Sequence, residues 1–240
     1  MRNPKWHRDE IILALDLYHS LEPGQIHGRN PVVIELSEVL NRLPIFDVRP
    51  DAVKFRNPNG VGLKLSNFLS IDPEYHGKGM QSYSKLDEQV FNEFYGKRYE
   101  LNKIANSIRN AVKDVNLNNK LYKITENDEE SDFVFKEGKV LYKLHKYRER
   151  NSKLILQKKT LHLQKYGSLD CEACSFNFQV KYGDLGAGYI ECHHKVPLSG
   201  FDGATRTRLE DLALVCSNCH RMLHKRLDSI SVDELKLYIT

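Results

Sequence analysis

The chain has 240 residues, of which 40% are hydrophobic and 28% are charged, and its formal net charge is +4 at pH 7. This composition is typical of a soluble globular protein with one large or two modest domains. No apolar run is long enough to span a membrane, and the segment Met1–Trp6 is too polar to begin a secretory signal. The sequence therefore predicts a cytoplasmic protein that has no membrane partner.

The N-terminal half predicts a mostly helical domain at residues 1–125, and we find no catalytic motif in it. Apolar residues recur at helical spacing in the first segment, where Ile11, Leu15 and Tyr18 would share one face. Pro31 is placed as a helix start. Helices are predicted at Arg8–Tyr18, Pro31–Leu40, Val61–Leu69, Leu86–Phe94 and Leu101–Val115.

The segment from Lys54 to Asn67 is the best candidate in this half for contacting DNA. A turn at Phe55–Gly60 precedes a short helix, which is compatible with a variant of the helix-turn-helix. Several side chains in it are of types that bind base edges or phosphates, namely Lys54, Arg56, Asn57, Asn59, Lys64 and Asn67. The alternative is a surface turn followed by a core helix. Trp6 could stack on a base, although an anchor for the first helix is the simpler interpretation.

Residues 126–166 predict an acidic linker followed by a basic helical segment. Five acids and no bases lie between Glu126 and Asp132. Ten Lys or Arg and two acids follow between Lys136 and Lys165, which gives this stretch a charge of +8. A basic helix suits contact with a phosphate backbone, with Arg148 and Arg150 as candidates, but it could also be a solvated helix face.

Two cysteine pairs mark the C-terminal domain, which is predicted at residues 167–240. They are Cys171-Glu-Ala-Cys174 and Cys216-Ser-Asn-Cys219. Two such C-x2-C turns can bring four thiolates to one zinc ion, and this predicts a structural zinc site. Two disulfides are the alternative, but disulfides are rare in the cytosol. Cys192 is the odd cysteine and is expected to face the core.

Four histidines lie between and just after these pairs. Short strands are predicted at residues 189–194 and 212–215, with a helix at 218–225. His220 and His224 are four residues apart and share one helical face, which suits two ligands of one metal. His193 and His194 are adjacent on a strand and point to opposite sides, so one could bind that metal while the other serves as a general base.

These residues resemble a known family of nucleases. Glu191-Cys-His-His194, Asp211-Leu212 and Cys216-Ser-Asn-Cys219-His220-x3-His224 are similar to the HNH (ββα-metal) endonucleases that carry a four-cysteine zinc, and in particular to the McrA-like restriction endonucleases. The resemblance covers residues 167–226. It implies an α+β protein, in which a C-terminal ββα-metal domain with a structural zinc follows the helical domain and the basic helical linker.

The resemblance also implies roles for individual residues. His193, His220 and His224 would bind the catalytic divalent ion, and His194 would be the general base that activates water. Glu191 would contact the ligands rather than the metal. Asp211 stands where the family has its middle asparagine. Its carboxylate can still accept a hydrogen bond from an imidazole N–H.

The implied activity is hydrolysis of phosphodiester bonds in double-stranded DNA by an endonuclease of restriction type. Mg²⁺ or Mn²⁺ would be the catalytic ion, and three histidines would also accept Ni²⁺ or Zn²⁺. The enzyme could cut modified (methylated) DNA, or it could be a type II enzyme for an unmodified site. A mobile-element nuclease and a non-catalytic, zinc-stabilised DNA-binding protein are further alternatives. Double-strand cutting and palindromic sites favour a homodimer.

Overall fold

A computed structural model of the chain describes residues 3–77, 82–124, 138–149, 152–195, 208–225 and 230–239. The chain forms two compact units, one made of Met1–Thr125 with Glu137–Lys143 and the other of Glu126–Lys136 with Leu144–Thr240. Within the described ranges, no helix is both long and apolar enough to cross a membrane.

The first unit is helical, and all five predicted helices are present in it. The first has the predicted bounds, and the other four have ends that differ by one to three residues. The predicted helix Leu101–Val115 ends early because Asp114 leaves the helical conformation and accepts hydrogen bonds from the first backbone N–H groups of a further helix. The third helix begins at Pro58, where Asn57 caps it. The helices are α1 (Arg8–Tyr18), α2 (Pro31–Arg42), α3 (Pro58–Phe68), α4 (Lys85–Phe94), α5 (Arg98–Lys113), α6 (Val115–Tyr122) and the start of α7 (Lys139–Glu149).

Helix α1 is the centre of this unit and is buried on nearly every side. It packs against α2, α3, α4 and α5, and Ile11–Leu15 have no exposed surface. The charged residues Arg8–Glu10 are buried as well, and Arg8 donates to Glu93 over 2.7 Å. The prediction of a single apolar face was therefore too narrow, because charged partners on other segments allow the polar side of α1 to be buried.

Arg56 is one of these partners. Its Nε and Nη2 atoms donate to the two carboxylate oxygens of Glu10 over 2.6 and 2.8 Å. The guanidinium also donates to the carbonyl oxygens of Pro4 and Lys5 and lies 4.7 Å from the ring centre of Trp6. Only 6% of Arg56 is exposed, so every part of the side chain is engaged inside the unit.

Lys64 is buried in the same way. Its Nζ atom lies 2.7 and 2.8 Å from the two carboxylate oxygens of Asp87, and 5.0 Å from the ring centre of Trp6. The expectation that Arg56 and Lys64 contact DNA is thus corrected, since both cations are buried in ion pairs. Trp6 lies against both of them, which supports its interpretation as an anchor for the first helix.

The other predicted DNA contacts of this segment have different surroundings. Lys54 and Asn59 are exposed, whereas Asn67 is half-buried. Asn57 accepts a hydrogen bond from the backbone N–H of Gly60 over 2.8 Å, as the cap of α3.

The start of the basic segment is fixed inside the first unit. The carboxylate of Asp9 accepts hydrogen bonds from the backbone N–H groups of Lys139 and Val140 over 2.9 and 3.0 Å, which satisfies the first turn of α7. Lys143 is buried and donates to the carbonyl oxygen of Pro44 over 3.0 Å. Lys143, one of the ten basic residues counted in this segment, is therefore part of the core. The acidic stretch 126–132, Arg150 and the side chain of Arg148 lie outside the described part of the chain.

The second unit surrounds a small antiparallel sheet. Strand β1 (Glu191–His194) pairs with β2 (Leu212–Val215) so that Glu191 lies opposite Val215 and His194 opposite Leu212. All of β2 is buried, and Leu154 and Ile155 of α8 (Ser152–Tyr166) pack against the same core. The elements are the end of α7, α8 (Ser152–Tyr166), α9 (Phe178–Tyr182), β1 (Glu191–His194), β2 (Leu212–Val215), α10 (Ser217–Lys225) and α11 (Val232–Lys236).

The predicted ββα arrangement is present with small shifts. Strand β2 has the predicted bounds, β1 begins two residues later than predicted, and α10 begins one residue earlier. Because α10 begins at Ser217, Asn218 lies within the helix and is not the capping residue that precedes it.

The buried ion pairs predict a large effect on stability. Arg56→Ala or Lys64→Ala should each lower the free energy of unfolding by about 3–5 kcal/mol, because each leaves a buried carboxylate unpaired. Urea denaturation measures this change. The control is Lys54→Ala, whose side chain is 78% exposed and whose loss should cost less than about 0.5 kcal/mol. Loss of DNA binding by the Arg56 and Lys64 variants at unchanged stability would contradict the structural role.

Candidate metal centres and active site

The first cysteine pair lies in a tight turn after α8. The backbone N–H of Ser175 donates to the carbonyl oxygen of Cys171 over 2.8 Å, and the N–H of Cys171 donates to the carbonyl of Phe176 over 2.9 Å. Ser175 takes the left-handed conformation, with a φ of 60°, which closes the turn. The turn directs the thiols of Cys171 and Cys174 into one cluster.

The second pair is placed by β2 and α10. Cys216 follows the last residue of β2, and Cys219 lies in the first turn of α10. The backbone N–H of Cys219 points at the sulfur of Cys216 over 3.4 Å, and the N–H of His220 donates to the Cys216 carbonyl over 2.9 Å. The start of α10 thus fixes two thiols and, at the next residue, a histidine.

The four sulfurs form one cluster with the dimensions of a tetrahedral metal site. All four lie within 4.8 Å of one another, and the sulfurs of Cys174 and Cys216 are 3.7 Å apart. An ion with tetrahedral bonds of about 2.3 Å to sulfur separates neighbouring sulfurs by about 3.8 Å. None of the five cysteines forms a disulfide, and a sulfur–sulfur distance of 3.7 Å is far longer than the S–S bond of about 2.05 Å, which favours a metal site over the alternative of two disulfides. Cys192 is buried in the core, as expected.

The pKa shifts of the cysteine thiols are also consistent with a site for a cation. Burial raises the pKa of the Cys219 thiol, and the sulfurs of Cys174 and Cys216 raise it further. Burial likewise raises the pKa of Cys174. At Cys171 burial acts in the same direction, but backbone N–H groups around the sulfur outweigh it and lower the pKa. Four thiolates at this spacing repel one another, and a divalent ion at the centre removes that penalty.

Three of the four histidines form a second cluster. His193 of β1 and the pair His220 and His224 of α10 each place a ring nitrogen within 4.8 Å of the other two. The Nε2 atoms of His220 and His224 are 3.1 Å apart. Two ligands bound at about 2.1 Å to one ion, at angles of 90–109°, lie about 3.0–3.4 Å apart, so the spacing fits a shared metal. The structure thus brings these three side chains close together, as the sequence predicts.

Glu191 lies on the side of His220 away from this cluster. Its Oε2 is 2.5 Å from Nδ1 of His220, and its Oε1 accepts from the Ser217 hydroxyl over 2.6 Å. The hydrogen bond with His220 lowers the pKa of Glu191 to about 2 against the opposing effect of burial, and Ser217 adds to the lowering. An ionised Glu191 keeps a proton on Nδ1 of His220, which leaves the Nε2 lone pair free to bind a metal.

His194 ends β1 and is buried, and strand alternation turns it to the face opposite His193. The next residue ties the strand to the segment before β2, because the N–H of Lys195 donates to the backbone carbonyl of Asp211 over 2.8 Å. The carboxylate of Asp211 accepts from the backbone N–H of Arg208 over 2.7 Å. Asp211 therefore holds the turn beside His194 through both its backbone and its side chain.

Sequence reasoning missed Ser217 and Tyr189 as neighbours of the histidine cluster. The Tyr189 hydroxyl is 3.4 Å from the same Glu191 oxygen that Ser217 contacts. Ser217 lies three residues before His220, and this spacing on a helix could have identified it as a neighbour. For Tyr189 the signal is weaker, although residues 189 and 191 share one face of an extended segment.

Comparison with known proteins agrees with the C-terminal geometry. Residues 171–226 match the family model described as HNH endonuclease, which places an HNH domain over both cysteine pairs and the four histidines. The match covers under a quarter of the 240-residue chain. No curated protein and no solved structure matches the chain.

Proposed function

We propose that the chain is a metal-dependent DNA endonuclease of restriction type. The observation that carries the proposal is the cluster of His193, His220 and His224 on a ββα unit. His194 follows His193 in β1. The match of this unit to the HNH endonucleases supports DNA as the substrate.

In this proposal His193, His220 and His224 bind one divalent ion. Glu191 holds the ring of His220 so that Nε2 faces the ion. An ion held by these residues, Mg²⁺ or Mn²⁺ with Ni²⁺ or Zn²⁺ as substitutes, would supply the positive charge that stabilises negative charge developing on the phosphate and on the leaving oxygen.

His194 acts as the general base that takes a proton from water as it attacks phosphorus. Adjacent strand residues point to opposite faces, so His194 is turned away from the ligand set and would accept the proton on its imidazole. Asp211 holds the turn next to His194 and so limits the movement of the strand end. This gives Asp211 a role like that of the family's asparagine.

The four-cysteine cluster holds a structural zinc ion in this proposal. Its thiolate donors suit zinc, and four thiolates fill all four positions of a tetrahedral ion, so that none stays open for water or substrate. The cluster joins the turn after α8 to the start of α10, and it therefore secures the helix that carries two of the proposed catalytic ligands.

DNA recognition is assigned to the helical first unit, because HNH domains contact mainly the backbone and carry little sequence information. Lys54, Asn57, Asn59 and Asn67 remain candidates there, with Arg148 and Arg150 for phosphates. The proposal extends to a cytoplasmic homodimer. Light scattering with and without DNA measures the stoichiometry, and a strict monomer that makes double-strand breaks would contradict the dimer.

The test of the activity is cleavage of supercoiled plasmid in the presence of Mn²⁺. The wild type should nick or linearise plasmid and stop when EDTA is added. His194→Gln should reduce the rate by about 10²–10⁴-fold, the usual contribution of a general base, at unchanged melting temperature and metal content. His162→Gln is the matched control, because this histidine lies on α8 in the same unit and should leave the rate unchanged.

Methylated and unmethylated copies of one plasmid separate the two kinds of restriction enzyme. Cleavage of the methylated copy alone indicates a modification-dependent enzyme, and cleavage of the unmethylated copy indicates a type II enzyme. Absence of cleavage of every DNA tested would instead support the non-catalytic, zinc-stabilised DNA-binding protein.

The cysteine cluster predicts one tightly bound zinc ion per chain. Cys171→Ala or Cys219→Ala should lose that ion and unfold the second unit, since the binding energy of a structural metal contributes directly to folding. Elemental analysis and near-UV circular dichroism measure both changes. Cys192→Ala is the control, because Cys192 is buried outside the cluster. If Cys219→Ala retained zinc, the assignment would be wrong.

A further inference from the structure

Ser217 makes a side-chain hydrogen bond that the sequence does not predict. It is the first residue of α10 and lies between Cys216 and Cys219. Its hydroxyl reaches across to β1 and donates to Oε1 of Glu191 over 2.6 Å, at a separation of 26 residues in the chain. The other oxygen of Glu191 is 2.5 Å from Nδ1 of His220. Ser217, Glu191 and His220 therefore form a continuous hydrogen-bond chain that ends at the histidine cluster.

Both ends of this chain belong to α10, and its middle belongs to β1. Ser217 and His220 are three residues apart on the same side of the helix, so a single carboxylate on the facing strand can bridge them. Glu191 is held at both oxygens and cannot rotate about its terminal bond without losing one of the two hydrogen bonds. The orientation of the His220 ring is fixed by that carboxylate, and its Nε2 is 3.1 Å from Nε2 of His224.

We propose that Ser217 is a positioning residue for the histidine metal site, acting through Glu191 on the tautomer and orientation of His220. This inference rests on the proposed function, in which His193, His220 and His224 bind the catalytic ion. Ser217 itself is not one of the clustered ligands.

The position of Ser217 links the two candidate metal sites. The sulfurs of Cys216 and Cys219 belong to the four-cysteine cluster, and Ser217 lies on the backbone between them. A metal held by the cysteines fixes that turn of α10, and the hydroxyl of Ser217 is thereby held at the carboxylate of Glu191. The four-cysteine cluster then has a second consequence besides folding, which is the alignment of a ligand in the neighbouring site.

Removing the hydroxyl leaves Glu191 less well held. The only other side-chain contact described at Oε1 is the Tyr189 hydroxyl at 3.4 Å, a distance at which a hydrogen bond is weak. Changing a group that contacts a metal ligand directly usually weakens metal binding about 10–100-fold. Ser217 is one contact further away, so its loss should weaken binding by about three- to tenfold, while Glu191→Gln should have the full effect.

The experiment titrates Ni²⁺ alone into the full-length, zinc-loaded protein by isothermal calorimetry. The wild type should bind one Ni²⁺ at the histidines, and His224→Ala should abolish this binding. Ser217→Ala should bind about three- to tenfold more weakly and Glu191→Gln about 10–100-fold more weakly, whereas Ser217→Thr, which retains a hydroxyl, should restore most of the affinity. The visible spectrum of the Co²⁺-substituted site should change in Ser217→Ala, which a purely structural role would not cause.

The matched control is Ser231→Ala. Ser231 also donates its hydroxyl to a glutamate, Oε2 of Glu234 over 2.8 Å, in the same unit but in α11 and its cap. Its loss should change the melting temperature at most and leave the Ni²⁺ affinity unchanged.

Wild-type affinity in Ser217→Ala would overturn the role of Ser217 and leave the nuclease proposal intact if plasmid cleavage persists. Conversely, weakened binding in a protein whose wild type cuts no DNA would sink the nuclease proposal and keep the positioning role. Failure of the wild type to bind Ni²⁺ at the histidines would overturn both. If Ser217→Ala lowers stability, the comparison of Ser217→Thr with Glu191→Gln still decides the point.

Discussion

The C-terminal unit depends on one short helix being held in one place. Helix α10 carries one of the clustered thiols and two of the clustered imidazoles within nine residues, and a second clustered thiol, that of Cys216, directly precedes it. The helix faces a sheet of two strands of four residues each. A two-stranded sheet with one short helix buries too little apolar surface to be stable alone. In the proposal, a metal bridging the two cysteine pairs would tie the turn after α8 to this helix. The position of His220 and His224 on the same helix would then depend on that constraint.

The histidine cluster could be predicted in part because some of its information is local, while the choice of His193 over His194 as its third member came from the family resemblance. Two residues four apart on a helix share a face, and adjacent residues on a strand do not, so spacing alone separates His193 from His194 and joins His220 to His224. The hydrogen bond from Ser217 to Glu191 could not be predicted in this way. It depends on the packing of a helix against a strand across 26 residues of sequence, which no periodicity encodes.

In the N-terminal unit, the positions of the helices could be predicted from the sequence, since caps and apolar periodicity are local signals. The roles of the charged residues could not be predicted in this way. Arg56 looks like a surface cation in the sequence, yet its fully buried partner Glu10 lies 46 residues away on α1. Lys64 is likewise paired with Asp87. Charge type predicts a possible DNA contact, and only three-dimensional pairing reveals that the charge is already neutralised inside the core.

In the proposal, two separate metal sites share α10, one formed by thiolates and the other by imidazoles. X-ray absorption on protein loaded with one equivalent of zinc and then with one equivalent of nickel tests this division most directly, because each edge reports the ligands of its own metal. Four sulfurs at about 2.3 Å should surround zinc and only nitrogen and oxygen should surround nickel, with the nickel signal lost in His220→Ala. Sulfur at the nickel edge, or imidazole at the zinc edge, would contradict the division into two sites.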